Sequence, residues 1–273
     1  MIKQVTAGVV AAALLISCSK NALTGKSQLT LLPESELQSM ATTQYQQFLS
    51  ENKVVNNSNN RDVEMVRRVG QRITRAVETY YADKGMSDKL AGFKWEYNLV
   101  DDKAVNAWCM PGGKIVVYTG LLPITQNEAA LAAVMGHEVS HALLQHGNQR
   151  MSQGLLQQLG GVALSVALAN KPTETQNLFN TAYGVGTTVG VMLPFSRKNE
   201  LEADRYGLIW TAMAGYNPQE AIALWERMEQ ASAGQKPPEF LSTHPSEGRR
   251  RDQLSKFMPE ALQYYKPVGP TGK

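Results

Sequence analysis

Residues 128–141 read EAALAAVMGHEVSH, an almost unbroken apolar run that closes on two histidines and a glutamate. Thr125-Gln126-Asn127-Glu128 ahead of it has the form of a capping box, which predicts a helix from there to about His146, with Gly147 as its stop. His137 and His141 are four apart and share one helical face, with Glu138 projecting beside them. Imidazoles on the buried side of a helix are costly unless something satisfies them. A single ion held by both does so, and zinc accepts nitrogen, oxygen and sulfur donors in a tetrahedron. Lewis acidity from such an ion brings the pKa of water down from about 15.7 towards 7, and a neighbouring carboxylate can then take its proton. A chain with only 4 histidines acquires this spacing by chance about once in three hundred cases. The bland alternative, a surface helix with two solvated histidines, conflicts with the apolar run from Ala129 to Gly136.

A third ligand must come from elsewhere, because Gly147-Asn148-Gln149 follows where a nearby third histidine would stand. A second helix is predicted over SRKNELEADR, residues 196–205, where Glu200 and Asp204 share a face and Glu202 points away. Glu200 can therefore ligate while Asp204 orients a histidine from behind.

Around these motifs the chain reads as one α+β domain, mostly helical, with a small sheet beside the histidine-bearing helix. Helices are predicted over residues 33–49 and 62–81, strands over 93–100 and 114–119, and a further helix opening at Asn217-Pro218. Residues 160–193 are apolar and glycine-rich, broken at Asn170-Lys171-Pro172, and suit a buried helical hairpin or a lid. Hydrophobic residues make up 43%, enough for a core, and two cysteines exclude a disulfide scaffold. A net charge of +3 is too mild to argue for nucleic acid.

The N-terminus reads as an address. Lys3 precedes an apolar stretch from Val5 to Ile16, too short to span a bilayer and suited to a signal peptide. Leu15-Ile16-Ser17-Cys18 resembles a bacterial lipobox, which implies cleavage before Cys18 and lipidation of its sulfur. The expected organisation is a signal peptide over residues 1–17, a lipidated polar tether over 18–30 and a folded domain carrying the metal motif over 31–265. Such a chain sits in a bacterial envelope, anchored to a membrane and facing the periplasm, with the outer membrane favoured by Ser19 after the cysteine.

HEVSH, the SRKNELEAD segment with Glu200 59 residues beyond His141, NAWCMPGGKI (residues 106–115) and Ser242-Thr243-His244-Pro245 together make a pattern. It resembles the HtpX/CAAX-prenyl-protease family of gluzincin metalloendopeptidases, and the lipobox and Leu23-Thr24-Gly25-Lys26 resemble its soluble periplasmic lipoprotein branch. The resemblance implies a zincin-like fold holding one zinc ion on His137, His141 and Glu200, with Glu138 as general base. It implies that Asp204 and Arg250 support the site, and that His244 either takes the fourth zinc position at rest or stabilises the oxyanion. The strand at 114–119 and the preceding Pro-Gly-Gly would flank the cleft and receive an extended protein substrate. Misfolded or unassembled envelope proteins are the implied substrates, and the outer-membrane assembly machinery a partner. Cys109 reads as packed core, and His146, off the ligand face, as a cap on the helix end. A chaperone with a latent or structural zinc site is the competing reading. A plain lipid-anchored binding module leaves the metal constellation unexplained.

Overall fold

The computed structural model describes residues 18–57, 59–159, 175, 177, 179, 195–232, 238–244 and 250–267. The expected signal peptide and most of the apolar segment 160–193 lie outside the described residues.

The chain opens with a hairpin, β1 (Cys18–Lys20) paired antiparallel to β2 (Ser27–Leu29). Polar composition suggested a tether here, but several of the polar side chains bond to the rest of the protein. Asn21 is buried, and its amide donates to the Leu143 carbonyl at 3.3 Å. Helix α1 (Glu34–Glu51) and α2 (Arg61–Asp83) follow. The α2 start is fixed by Asn60, whose side chain accepts from the Asp62 and Val63 amides.

Three strands come next: β3 (Glu96–Val100), β4 (Ala107–Met110) and β5 (Lys114–Tyr118). Their order is β3-β5-β4, with β5 parallel to β3 and antiparallel to β4. Pro111-Gly112-Gly113 folds β4 back on β5, and both glycines hold positive φ (77° and 83°), where a side chain would be strained. The strand expected at the cleft, 114–119, is thus the centre of the sheet, and its edge partner β4 takes the cleft position. Both faces are buried. Ile115 and Val117 enter one core with α2, while Val116 and Tyr118 enter another with Leu37, Tyr45 and Phe48 of α1.

Helix α3 (Glu128–Leu143) carries the HEVSH segment, and its cap is Asn127, whose side chain accepts from the Ala130 amide at 2.8 Å. Thr125 instead ends the short turn Leu122–Thr125. The helix also stops earlier than expected. Gln145 adopts φ 55°, the chain turns a corner, and α4 (His146–Leu159) begins at the residue taken for a helix-end cap. Helices α5 (Arg197–Met213), α6 (Glu220–Ser232) and α7 (Arg250–Leu262) complete the body, with a short turn of helix over Glu239–Thr243. The architecture is the mostly helical α+β arrangement expected. No described helix is long and apolar enough to cross a membrane.

Helices α3 and α5 pack across each other at Gly136 and Gly207, and the Trp210 indole donates to Ser140 Oγ at 3.0 Å. A Cβ at Gly207 would lie 2.9 Å from the His137 nitrogen and 3.0 Å from its Cα, both backbone atoms that cannot swing aside. Gly207→Ala should therefore push the helices apart and cost about 1–3 kcal/mol, read as a lower melting temperature.

Candidate metal centre

Helices α3 and α5 and the turn Glu239–Thr243 each deliver side chains to one buried point. His137 Nε2 and His141 Nε2 lie 3.0 Å apart, and Glu200 comes within 3.4 Å of each. His244, at the C-terminal end of the turn, brings Nδ1 within 3.2 Å of His137 Nε2 and 3.1 Å of Glu200 Oε1. One ligand atom from each of these four residues lies within 4.8 Å of every other, and all four residues are buried.

This donor set fits zinc. A tetrahedron with metal–ligand distances near 2.0–2.1 Å has edges of about 3.3 Å, close to the separations seen. Facing ring nitrogens cannot all satisfy one another by hydrogen bonding, and Glu200 Oε2 and Glu138 Oε1 are buried without a hydrogen-bond partner. Converging lone pairs of this kind call for a cation.

The carboxylates behind the cluster fix its geometry. Asp204 Oδ1 lies 2.9 Å from His137 Nδ1, so the histidine that Asp204 orients is His137. Arg250 donates to Asp204 at 2.6 Å and approaches Glu200 Oε2 at 3.2 Å, while its guanidinium covers the Trp225 ring at 3.5 Å. Glu138 lies beside the cluster, its Oε1 3.4 Å from His244 Nε2.

Burial and charge set the protonation states. Burial alone would raise Glu200, but the imidazoles of His244, His137 and His141 hold it well below the usual carboxylate range. Burial pulls His141 well down, which leaves its ring neutral and able to ligate. Burial also pulls His137 down, but Asp204 and Glu200 outweigh it and push the ring up to about 9 in the metal-free protein. Burial lifts Glu138, partly countered by His244 and His137. Cys109 is buried in the core with its thiol pushed well up, an inert group as expected.

A cleft opens in front of the cluster, lined by Trp108 and Cys109 of β4, Pro111, Glu138, Phe195 and, from α1, Glu34. Every sequence-predicted site residue except Cys18 therefore gathers around one point. Cys18 begins β1, and its side chain is outside the described residues. His146 departs from expectation: it is fully buried, with Nδ1 3.0 Å from His141 Nδ1, because the corner at Gln145 turns it back towards the site. No periodicity signals such a corner. Glu34 was also missed, since nothing in residues 33–49 marks that helix as a cleft wall.

The profile of Peptidase family M48 matches residues 67–258, more than half of the chain. The mitochondrial metalloendopeptidase OMA1 of Arabidopsis thaliana is 39% identical over 188 residues, covering 67% of this chain and 36% of the relative. The OMA1 of Schizosaccharomyces pombe is 36% identical, covering 69% and 53%. The beta-barrel assembly-enhancing protease of Escherichia coli (strain K12) is 30% identical over 178 residues, covering 62% and 36%. The chain thus spans between about a third and just over half the length of these relatives.

Glu34 offers a test of the cleft wall by pH. Burial, opposed by a hydrogen bond from Gln38, raises its carboxyl from 4.5 to about 7. The folded state then holds more protons than the unfolded state between those values, so stability falls as pH rises through that window. Glu34→Gln should flatten the decline, measured by denaturant unfolding at pH 4.5 and 7.5.

Proposed function

This chain belongs to Peptidase family M48, and on that premise we propose that it is a zinc endopeptidase hydrolysing peptide bonds in envelope proteins. The observation that carries the reading is the convergence of His137, His141, Glu200 and His244 on one buried point with Glu138 alongside. His137, His141 and Glu200 would hold the ion. When bound, zinc supplies Lewis acidity, which acidifies water and polarises a scissile carbonyl.

The chain's own residues do the rest. Glu138 takes the proton from the attacking water and passes it to the leaving amine, a role suited to a carboxyl whose pKa burial has raised. Asp204 fixes the His137 ring, and Arg250 holds Asp204 while pairing with Glu200. An extended substrate pairs with β4, the edge strand of the three-stranded sheet that faces the cleft, which its Trp108 and Cys109 line. His244 occupies the fourth position of the cluster at rest and must leave it for substrate to enter. That same contact favours the competing reading, an assembly factor with a latent site.

We further propose the periplasmic lipoprotein branch of the family. Supporting this are the lipobox ending at Cys18 and the similarity to the Escherichia coli protease. The domain boundaries are then 1–17 for the signal peptide, 18–30 for the anchored segment and 31–265 for the catalytic body. Misfolded or unassembled envelope proteins are the proposed substrates, with the outer-membrane assembly machinery as partner.

Three measurements test this. The chain from residue 18, with Cys18→Ser, should bind about one zinc ion, as family catalytic sites do, and cleave casein. Its Glu138→Gln variant should keep the metal and lose cleavage by at least about a hundredfold; absence of zinc from both would end the reading. His244→Ala should raise casein cleavage severalfold, whereas a clear fall would assign His244 to the oxyanion. In cells, the full chain should partition into detergent and the Cys18→Ala variant should not.

A further inference from the structure

The two zinc-facing histidines are held from behind in different ways. His137 has a carboxylate, Asp204, on its outer nitrogen. His141 has His146, at 3.0 Å between their Nδ1 atoms. His141 turns Nε2 to the cluster, so its Nδ1 carries the hydrogen and His146 Nδ1 accepts it. His146 must then carry its own hydrogen on Nε2, which faces Glu202 Oε2 at 3.5 Å. Glu202 is in turn paired with Lys26 Nζ at 2.7 Å.

Lys26 immediately precedes β2, so this chain of contacts ends in the N-terminal hairpin. The hairpin grips the same corner at two more points. Gln28 donates to Gln145 Oε1 at 2.8 Å, at the residue whose positive φ turns the chain so that His146 faces His141. Asn21 donates to the Leu143 carbonyl, one of the carbonyls left unpaired where α3 ends. All three hairpin side chains lie outside the family match, which begins at residue 67.

We propose that His146 is a positioning residue that fixes the His141 ring through its outer nitrogen, and that the N-terminal hairpin, through Lys26–Glu202 and Gln28–Gln145, sets how tightly the site holds zinc. This rests on the reading of His141 as a zinc ligand. Supporting groups of this kind are typically worth 10–100-fold in metal affinity. A hairpin that begins at the proposed lipidation site is thereby joined to the metal centre through side-chain contacts.

The test is zinc affinity by competition with a chromogenic chelator, and the visible spectrum of the cobalt-substituted protein, on the chain from residue 18 with Cys18→Ser. His146→Leu should weaken zinc binding by about 10–100-fold and shift the cobalt bands, and His146→Gln, which can still accept from His141 Nδ1, should restore most of the affinity. The pair Lys26→Met/Gln28→Leu should weaken binding severalfold. Should His146→Leu fail to fold by circular dichroism, Glu202→Gln and the hairpin pair decide the matter: a severalfold loss in both supports the proposal, and unchanged affinity overturns it. A lower melting temperature of the zinc-free protein with unchanged affinity and cobalt bands would mean His146 only packs, and overturns it as well. Absence of zinc from the parent would instead sink the reading of the site itself.

Discussion

Everything at the site depends on how closely α3 and α5 approach. Gly136 and Gly207 meet where the helices cross, and a Cβ on Gly136 would lie 2.8 Å from the Gly207 carbonyl oxygen. Only glycine on both helices allows that separation, and at that separation His137 and His141 reach Glu200 while Asp204 reaches the back of His137. The bond from Trp210 to Ser140 fixes the rotation of one helix against the other. Ser140 Oγ also bonds the Gly136 carbonyl, so the packing contact and the ligand spacing share the same turn of α3.

Charge balance is the second constraint. Glu138, Glu200 and Asp204 are all buried against the same histidine cluster, with Arg250 seated on Glu200 and Asp204. Arg250 is held over Trp225 and reaches both Glu200 and Asp204, so it places positive charge between the two carboxylates. A divalent ion held by the imidazoles and Glu200 would supply further positive charge. Such a cluster is costly to bury unpaired, which ties the folded geometry to the presence of metal.

The cleft has walls from two sources. Strand β4 and the Pro111 turn belong to the region matched by the family, whereas α1 with Glu34 precedes it. Helix α1 packs on the face of the sheet opposite α2, so the extra segment builds a second core and a cleft wall together.

The pairing of these side chains was legible in the sequence because helical periodicity converts spacing into shared faces. His137 and His141, and separately Glu200 and Asp204, are each four apart, and both pairs lie on helices as read. The longer helices and two strands of the three-stranded sheet were legible for the same reason, their apolar periods being regular. Strand β4 was not, since NAWCM lacks the β-branched residues that mark strands and is held by pairing with β5. The end of α3 was misplaced because one residue, Gln145, turns left-handed under the grip of Gln28, a contact 117 residues apart. His146 thereby changes from an apparent helix cap into a buried neighbour of His141. Sequence by itself determined which residue types could hold an ion and on which helix faces. Tertiary structure decided which histidine Asp204 orients, which strand borders the cleft and what stands behind His141. Those relations are set by crossing geometry and long-range hydrogen bonds, which carry no local period.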